Sequence, residues 1–211
     1  MRMLLLDTAG PVAGIAAFTG DTVLYCASAR VPSGTEAWIE QHLAAALEAV
    51  GTLDRVAVSV GPGAFTGIRV GVAAALGLAF ARGVEVAPVS SLALRACLAP
   101  GQPRVLSLLD ARKGKVYGGW FDTRGPLPLP LGPELDILLD EVSAQAPGIA
   151  VGEGAAVFAD AVRAAGHTLH ATPADSPVGA GATLCRSMEG RSAGTVGLRY
   201  LREPDARPSR V

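Results

Sequence analysis

The sequence predicts an α/β fold built from two related halves. An apolar run ending in aspartate, then a tight turn and a second run, occurs at 3–7 and 12–18 and again at 104–110 and 115–121, about 100 residues later. Residues 56–60 are too apolar for a half-exposed strand and read as a fully buried, parallel one, with the helix after Gly63 as its crossover. With 211 residues, 50% of them apolar, the chain has material for one domain of ordinary size or two small ones sharing an interface.

Gly10-Pro11 joins the two opening runs as a hairpin turn. Asp21 ends a second turn, and Val23, Tyr25 and Val31 favour a third strand over 22–30. Thr35 is placed to cap a helix running to about Val50, with Ile39, Leu43, Ala46, Leu47 and Val50 on one stripe, Glu36, Glu40 and Glu48 off it, and Gly51 as its stop. After strand 56–60 and its crossover helix come a strand over 84–89 and a short helix, capped by Ser90 or Ser91, that ends near Leu98. Pro100, Gly101 and Pro103 mark a boundary between halves 1–99 and 100–211. In the second half the proline-rich stretch 125–133 excludes helix and inner strand and reads as an extended connection. Beyond it the pattern predicts a short helix over 134–141, a strand over 149–151, a helix over 155–165 closed by Gly166, and a final helix over 178–189 that packs back on the first half. The second half is the smaller one.

The formal charge of −1 creates no broad field that would gather nucleic acid. Arg199, Arg202, Arg207 and Arg210 crowd the end of the chain, where a basic tail can touch phosphates but a solvated terminus is the commoner case. No apolar run reaches the roughly 20 residues that span a bilayer, and Asp7 interrupts the opening run where a signal peptide would continue. Cytoplasmic residence is the expectation. Cys26, Cys97 and Cys185 are odd in number and widely spaced, which fits buried small hydrophobes rather than a disulfide framework or a zinc site.

The candidate chemistry centres on Gly61-Pro62-Gly63-Ala64-Phe65-Thr66-Gly67. It lacks the lysine and hydroxyl residue that end a Walker A loop, and its third glycine falls one place late for a dinucleotide turn. A helix N-terminus still attracts anions, so a phosphate cradle remains one reading. The other is a contact ridge: Gly67, Gly71, Ala75 and Ala79 recur every four residues along one side of a helix, where another backbone can approach closely. Two glycines inside a helix cost roughly 2 kcal/mol relative to alanine, so a neighbour within the chain or a partner chain must compensate. Asp7 and Asp110 at strand ends suit a hydrated cation or a base, and equally a turn former. His42, His167 and His170 show no nucleophile–base arrangement, and neither the 167/170 pair nor nearby Asp175 completes a metal shell.

Leu6-Asp7-Thr8, the block from Gly61 to Gly71, Val89-Ser90-Ser91-Leu92, the stretch from Asp110 to Tyr117, and Tyr200-Leu201-Arg202 together resemble the TsaB family, the bacterial subunits used in making threonylcarbamoyladenosine in tRNA. The resemblance runs over the whole chain and is dense to about residue 122. It implies two ribonuclease H-like halves of the actin, sugar kinase and chaperone ATPase superfamily, with the second half reduced. It also implies a partner more than a catalyst: TsaB pairs with its paralogue TsaD, which transfers the threonylcarbamoyl group, and a small ATPase, TsaE, joins them. The paralogue's metal-binding His-x-x-x-His pair aligns with Ser91 and Arg95 here, neither of which replaces an imidazole ligand. Family members commonly carry a histidine before the threonine of the first helix, where this chain has Gly34.

The favoured expectation is a non-catalytic scaffold without cofactor or metal, binding a TsaD-like paralogue through its first two helices, reaching a TsaE-like ATPase through the complex, and touching tRNA indirectly or weakly. This puts the partner interface on Trp38, Gly67, Ile68, Gly71, Ala75 and Leu78, and lets the ridge pair with itself as a homodimer when the partner is absent. On that reading Gly71→Leu leaves the fold intact and blocks the complex. The alternatives are an ATP-using phosphotransferase with Asp7 as metal partner or base and, less favoured, a protease.

Overall fold

Each half is organised around a strand buried on both faces. In β1 (Arg2–Asp7), Met3 and Leu5 enter one core and Leu4 and Leu6 another, and all four are fully buried. The computed structural model describes residues 1–138, 141, 146–170 and 177–201. β1 pairs antiparallel with β2 (Val12–Thr19), and β2 with β3 (Thr22–Arg30). On its other side β1 pairs parallel with β4 (Arg55–Ser59), which pairs parallel with β5 (Glu85–Val89), giving the order β3-β2-β1-β4-β5. The crossovers α1 (Thr35–Val50) and α2 (Phe65–Arg82) cover one face, and α3 (Ser91–Ala96) lies on the other.

The second sheet repeats the plan. β6 (Val105–Arg112) and β7 (Lys115–Asp122) form an antiparallel hairpin, and the short β8 (Leu129–Pro130) and β9 (Leu135–Leu138) both pair antiparallel with β7. β10 (Ile149–Val151) and β11 (Thr168–Leu169) add in parallel on the side of β6. Thus β9-β7-β6-β10-β11 matches the first sheet strand for strand in direction. α4 (Glu153–Val157) and α5 (Ala159–Ala164) pack on the outer face through Ala155 and Val162.

Three cores separate these layers. Ile39, Ala46, Ile68, Val72, Ala75 and Ala79 of α1 and α2 meet the first sheet. A central core joins the inner faces of both sheets to α3 and to α6 (Ala182–Ser187). By length and composition α2 matches a membrane span, but its inner side packs on β1 and β4.

Four expectations need correction. Residues 135–138 form a strand, not a helix: the repeated plan leaves the outer edge of β7 open, and pairing there overrides the local helical pattern. The helix expected over 155–165 starts earlier, at Glu153, and breaks at Phe158, whose φ of −108° and ψ of 33° leave the helical range. The helix expected over 178–189 is a 3-10 turn, Pro177–Ala180, followed by α6, because Gly179 and Gly181 interrupt it. Thr35 is the first residue of α1 rather than its cap, and Gly34 holds the cap position at φ 74° with no side-chain bond.

Candidate functional site

The Gly-Pro-Gly turn is filled by the chain's own backbone. The Ala64 amide donates to the Ala9 carbonyl at 2.8 Å, the Gly61 carbonyl accepts from the Ser91 amide at 3.0 Å, and the Arg199 amide donates to the Val60 carbonyl at 2.7 Å. A Cβ on Gly63 would collide with the Ala9 carbonyl, and one on Gly61 with that of Arg199. These glycines permit backbone contact, so the turn is not an open phosphate cradle.

The ridge after it is equally occupied. A Cβ on Gly67 would strike the Thr8 carbonyl, and one on Gly71 the Thr8 hydroxyl, which donates to the Gly67 carbonyl at 2.7 Å. Ile68, Gly71 and Ala75 are buried against the first sheet. The compensating neighbour is therefore the β1–β2 turn of the same chain. This corrects the expectation that Gly67, Ile68, Gly71 and Ala75 present themselves to a partner: 100° per residue carries all four to the inner side of α2. Gly71→Leu accordingly disturbs the fold itself.

The outward side of the same helix pair is open. Ile39, Leu43, Val70, Ala73 and Ala74 line a groove of about 510 Å³ between α1 and α2, with Glu36, Glu40 and Arg69 at its rim. Phe80, 85% exposed, extends the apolar surface toward the end of α2. Leu78 is half-buried, and Trp38 leans on His42 at 4.6 Å between ring centres, while His42 Nδ1 and the Tyr25 hydroxyl are 2.7 Å apart. Trp38 thus packs toward β3.

A cleft of about 1080 Å³ opens between the β1–β2 turn, the start of α2 and the β6–β7 hairpin, lined by Arg30, Ser33, Gly34, Arg112, Tyr117 and Tyr200 among others. Nearby, Asp7 is buried and engaged within the chain. Its Oδ1 accepts from the Ala9 amide at 3.1 Å and the Ser59 hydroxyl at 2.5 Å, and its Oδ2 lies 3.2 Å from Arg95 Nη2. Arg95, completely buried, donates from Nε and Nη2 to Glu153 at 2.5 and 2.7 Å and from Nη1 to the Ser91 carbonyl at 2.9 Å. Burial opposes the Arg95 charge, but Asp7 and Glu153 outweigh it and raise its pKa further; burial likewise pushes Glu153 up, and Arg95 brings it below the ordinary carboxylate range. A Cβ on Gly10 would lie 2.7 Å from Glu153 Oε1 and 2.8 Å from Arg95 Nη2. The turn that could have admitted phosphate or a hydrated cation beside Asp7 is filled by this ion cluster, which removes the observation favouring a phosphotransferase.

The remaining candidates act structurally. Asp110 Oδ1 accepts from the Arg112 amide at 2.7 Å, the turn-former alternative. His167 Nδ1 accepts from the Gly148 amide at 3.2 Å, with its ring 5.4 Å from Trp120. Among the described residues no three His, Cys, Asp or Glu side chains gather to hold a metal; Asp175 lies outside them. Cys185 is fully buried and burial pushes its thiol up, as it pushes Cys97 to about 12, but Cys26 is exposed, contrary to expectation, because β3 is a sheet edge.

Sequence reasoning missed Glu153, Glu134 and the role of residues 191–201. This last segment runs back over the first half, where Arg191 bridges to Val86 of β5 and Tyr200 accepts from Arg69 Nε at 3.1 Å while its ring lies 4.8 Å from that of Phe65, and Arg199 also reaches Glu134 of the second half at 3.1 Å. Gly152-Glu153-Gly154 after an apolar strand was the available signal for the acid; nothing local marks the strap. Arg202, Arg207 and Arg210 lie outside the described residues.

The family model described as TsaD, tRNA N6-adenosine threonylcarbamoyltransferase, matches residues 33–125. The tRNA threonylcarbamoyladenosine biosynthesis protein TsaB of Bacillus subtilis is 31% identical over 144 residues, 66% of this chain and 63% of that protein; its Escherichia coli namesake is 32% identical over 56% of this chain and 53% of that protein. The chain thus spans less than two thirds of the length of these relatives. An uncharacterised Mycobacterium tuberculosis protein is 33% identical over 80% of this chain and 74% of its own length. Among solved structures, YeaZ from Pseudomonas aeruginosa superposes at a TM-score of 0.77 with 26% identity, covering 95% of this chain and 99% of that one. The ethanolamine utilisation protein EutJ of Carboxydothermus hydrogenoformans, 10% identical, shares the fold at a TM-score of 0.52 over 88% of this chain and 89% of its own.

Proposed function

Since this chain belongs to the TsaB family of tRNA threonylcarbamoyladenosine biosynthesis proteins, we propose that it is the non-catalytic scaffold of the complex that makes this modification, holding a TsaD-family paralogue against the outer faces of α1 and α2. Its fold is that of the actin, sugar kinase and chaperone ATPase superfamily, two ribonuclease H-like halves with the second reduced. The observation that carries the proposal is the open apolar groove between α1 and α2. A family model named for TsaD covers both of these helices, so the paralogue offers an equivalent pair, and two such pairs can pack about a pseudo-twofold axis. Apolar side chains at the centre and the charges of Glu36, Glu40 and Arg69 at the rim fit a protein contact. In this reading Gly67, Ile68, Gly71 and Ala75 contribute indirectly, by seating α2 on Thr8, while Trp38 and Leu78 flank the contact. A second copy of the chain can take the same place when the paralogue is absent.

The non-catalytic assignment is supported by Asp7, whose carboxylate is taken up by Arg95, Ser59 and the Ala9 amide. A TsaE-type ATPase joins through the paralogue, tRNA is bound chiefly by that paralogue, and the assembly works in the cytoplasm. Ala73→Arg tests the interface, since Ala73 is exposed on α2 and lines the groove. The expected result is an unchanged circular dichroism spectrum and melting temperature with loss of co-elution with the paralogue; an undiminished complex overturns the interface. Omitting the chain from a reconstituted tRNA modification reaction should abolish product, and product formed by this chain without the paralogue would refute the scaffold role.

A further inference from the structure

We propose that Arg95 is a positioning residue that locks the two halves at one angle, supplying a permanent internal cation where their carboxylates meet. The inference rests on the scaffold reading above and deepens it, because a partner that docks on a rigid subunit meets one surface rather than an ensemble.

The geometry is that of a built site. Asp7 ends the first strand of the first sheet, and Glu153 begins the helix that follows β10 of the second. One guanidinium reaches both: its Nε–Nη2 edge takes Glu153 in a two-bond grip, Nη2 also faces Asp7, and Nη1 ties it to the Ser91 carbonyl of its own helix. Backbone shape makes room for it on both sides. A Cβ on Gly10 would meet Glu153 and Arg95, and one on Gly152, at φ 93°, would lie 3.3 Å from Arg95 Cδ. Without the guanidinium, two carboxylates would face each other in a water-poor site and push the halves apart. A lysine is a single point charge and cannot grip Glu153 through two bonds while facing Asp7. The halves therefore do not hinge about this contact.

Hydrogen exchange on the isolated full chain tests the lock independently of partner binding. In Arg95→Ala the amides of Ala9 and of 155–158 should exchange about a hundredfold faster, while those of α1 and the second half of α2 keep their rates. Added methylguanidinium should restore protection, and Arg95→Lys should not. Glu153→Gln, which keeps volume and one acceptor, should loosen the same amides to a smaller degree, and this covers the case in which Arg95→Ala fails to fold. Unchanged exchange at these amides, a uniform rise across the chain, or full protection in Arg95→Lys overturns the proposal. Loss of the paralogue complex in Ala73→Arg with normal exchange leaves the lock standing, so the two readings fail separately.

Discussion

Gly71 and Gly77 belong to the same helix and the same residue type, yet only Gly71 faces the rest of the chain. A Cβ on Gly71 runs into the Thr8 hydroxyl, whereas one on Gly77 meets nothing within 4 Å. Gly71→Ala should therefore destabilise the chain by about 2 kcal/mol through overpacking, and Gly77→Ala should stabilise it by up to about 1 kcal/mol through helix propensity. Urea unfolding midpoints moving in opposite directions would check both; a shift of the same sign would contradict the packing. The spacing of Gly67, Gly71 and Ala75 was legible in the sequence, but what filled the space was not, because Thr8 is far away along the chain. Glu153 supplies a pH prediction. Its folded pKa lies below the ordinary 4.5, so between the two values the unfolded chain binds more protons and stability rises with pH. The contribution of its pair with Arg95 is complete above about pH 4.5 and is lost as pH falls through the lower folded value. Glu153→Gln should flatten that acid limb in a stability–pH curve.

At the scale of elements, α3 depends on its cap. Ser90 Oγ accepts from the Leu92 and Ala93 amides at 3.2 Å each, and the same hydroxyl donates to Glu134, a partly buried carboxyl that desolvation raises above its usual pKa. Ser90→Ala removes cap and partner together and should cost about 1–2 kcal/mol, read as a lowered melting temperature. An unaltered one would mean that the cap is dispensable. The cap was visible in the sequence as a serine before an apolar stretch. β9 was not, since Leu135-Asp136-Ile137-Leu138 is compatible with either period over so short a run, and only the open edge of β7 decides for strand. The longer elements β1, β2, α1 and α2 were legible because burial imposes a period over many residues. α4 and α5 were less so: the break at Phe158 has no proline or glycine to announce it.

Over the whole molecule, the strap 191–201 joins the far end of the chain to the first sheet. Arg191 pairs with Val86 on β5, an edge strand that would otherwise present unpaired amides and carbonyls. A chain ending at Gly190 should lose stability and, with rising concentration in analytical ultracentrifugation, form assemblies larger than those of the full chain, whose helix groove supports at most a dimer; equal stability with assemblies no larger than the full chain's would show that the edge needs no cover. The internal repeat was legible from the two aspartate-ended hairpins. The lock between the halves was not, because Asp7, Arg95 and Glu153 come from distant stretches and only the folded chain brings them together.

The central core carries a consequence for how the protein is made. Met3, Leu5, Phe18 and Val89 line the inner face of the first sheet, and part of what covers them, Val178, Ala182, Leu184 and Cys185, arrives only with residues 177–187. A Cβ on Gly181 would lie 2.6 Å from Leu94 and 2.8 Å from Leu5, so the late segment must settle against a surface already in place. During synthesis α3 and the second sheet reach that face first, and the patch that residues 177–187 cover stays open until they follow, which makes the unfinished chain a client for a holding chaperone.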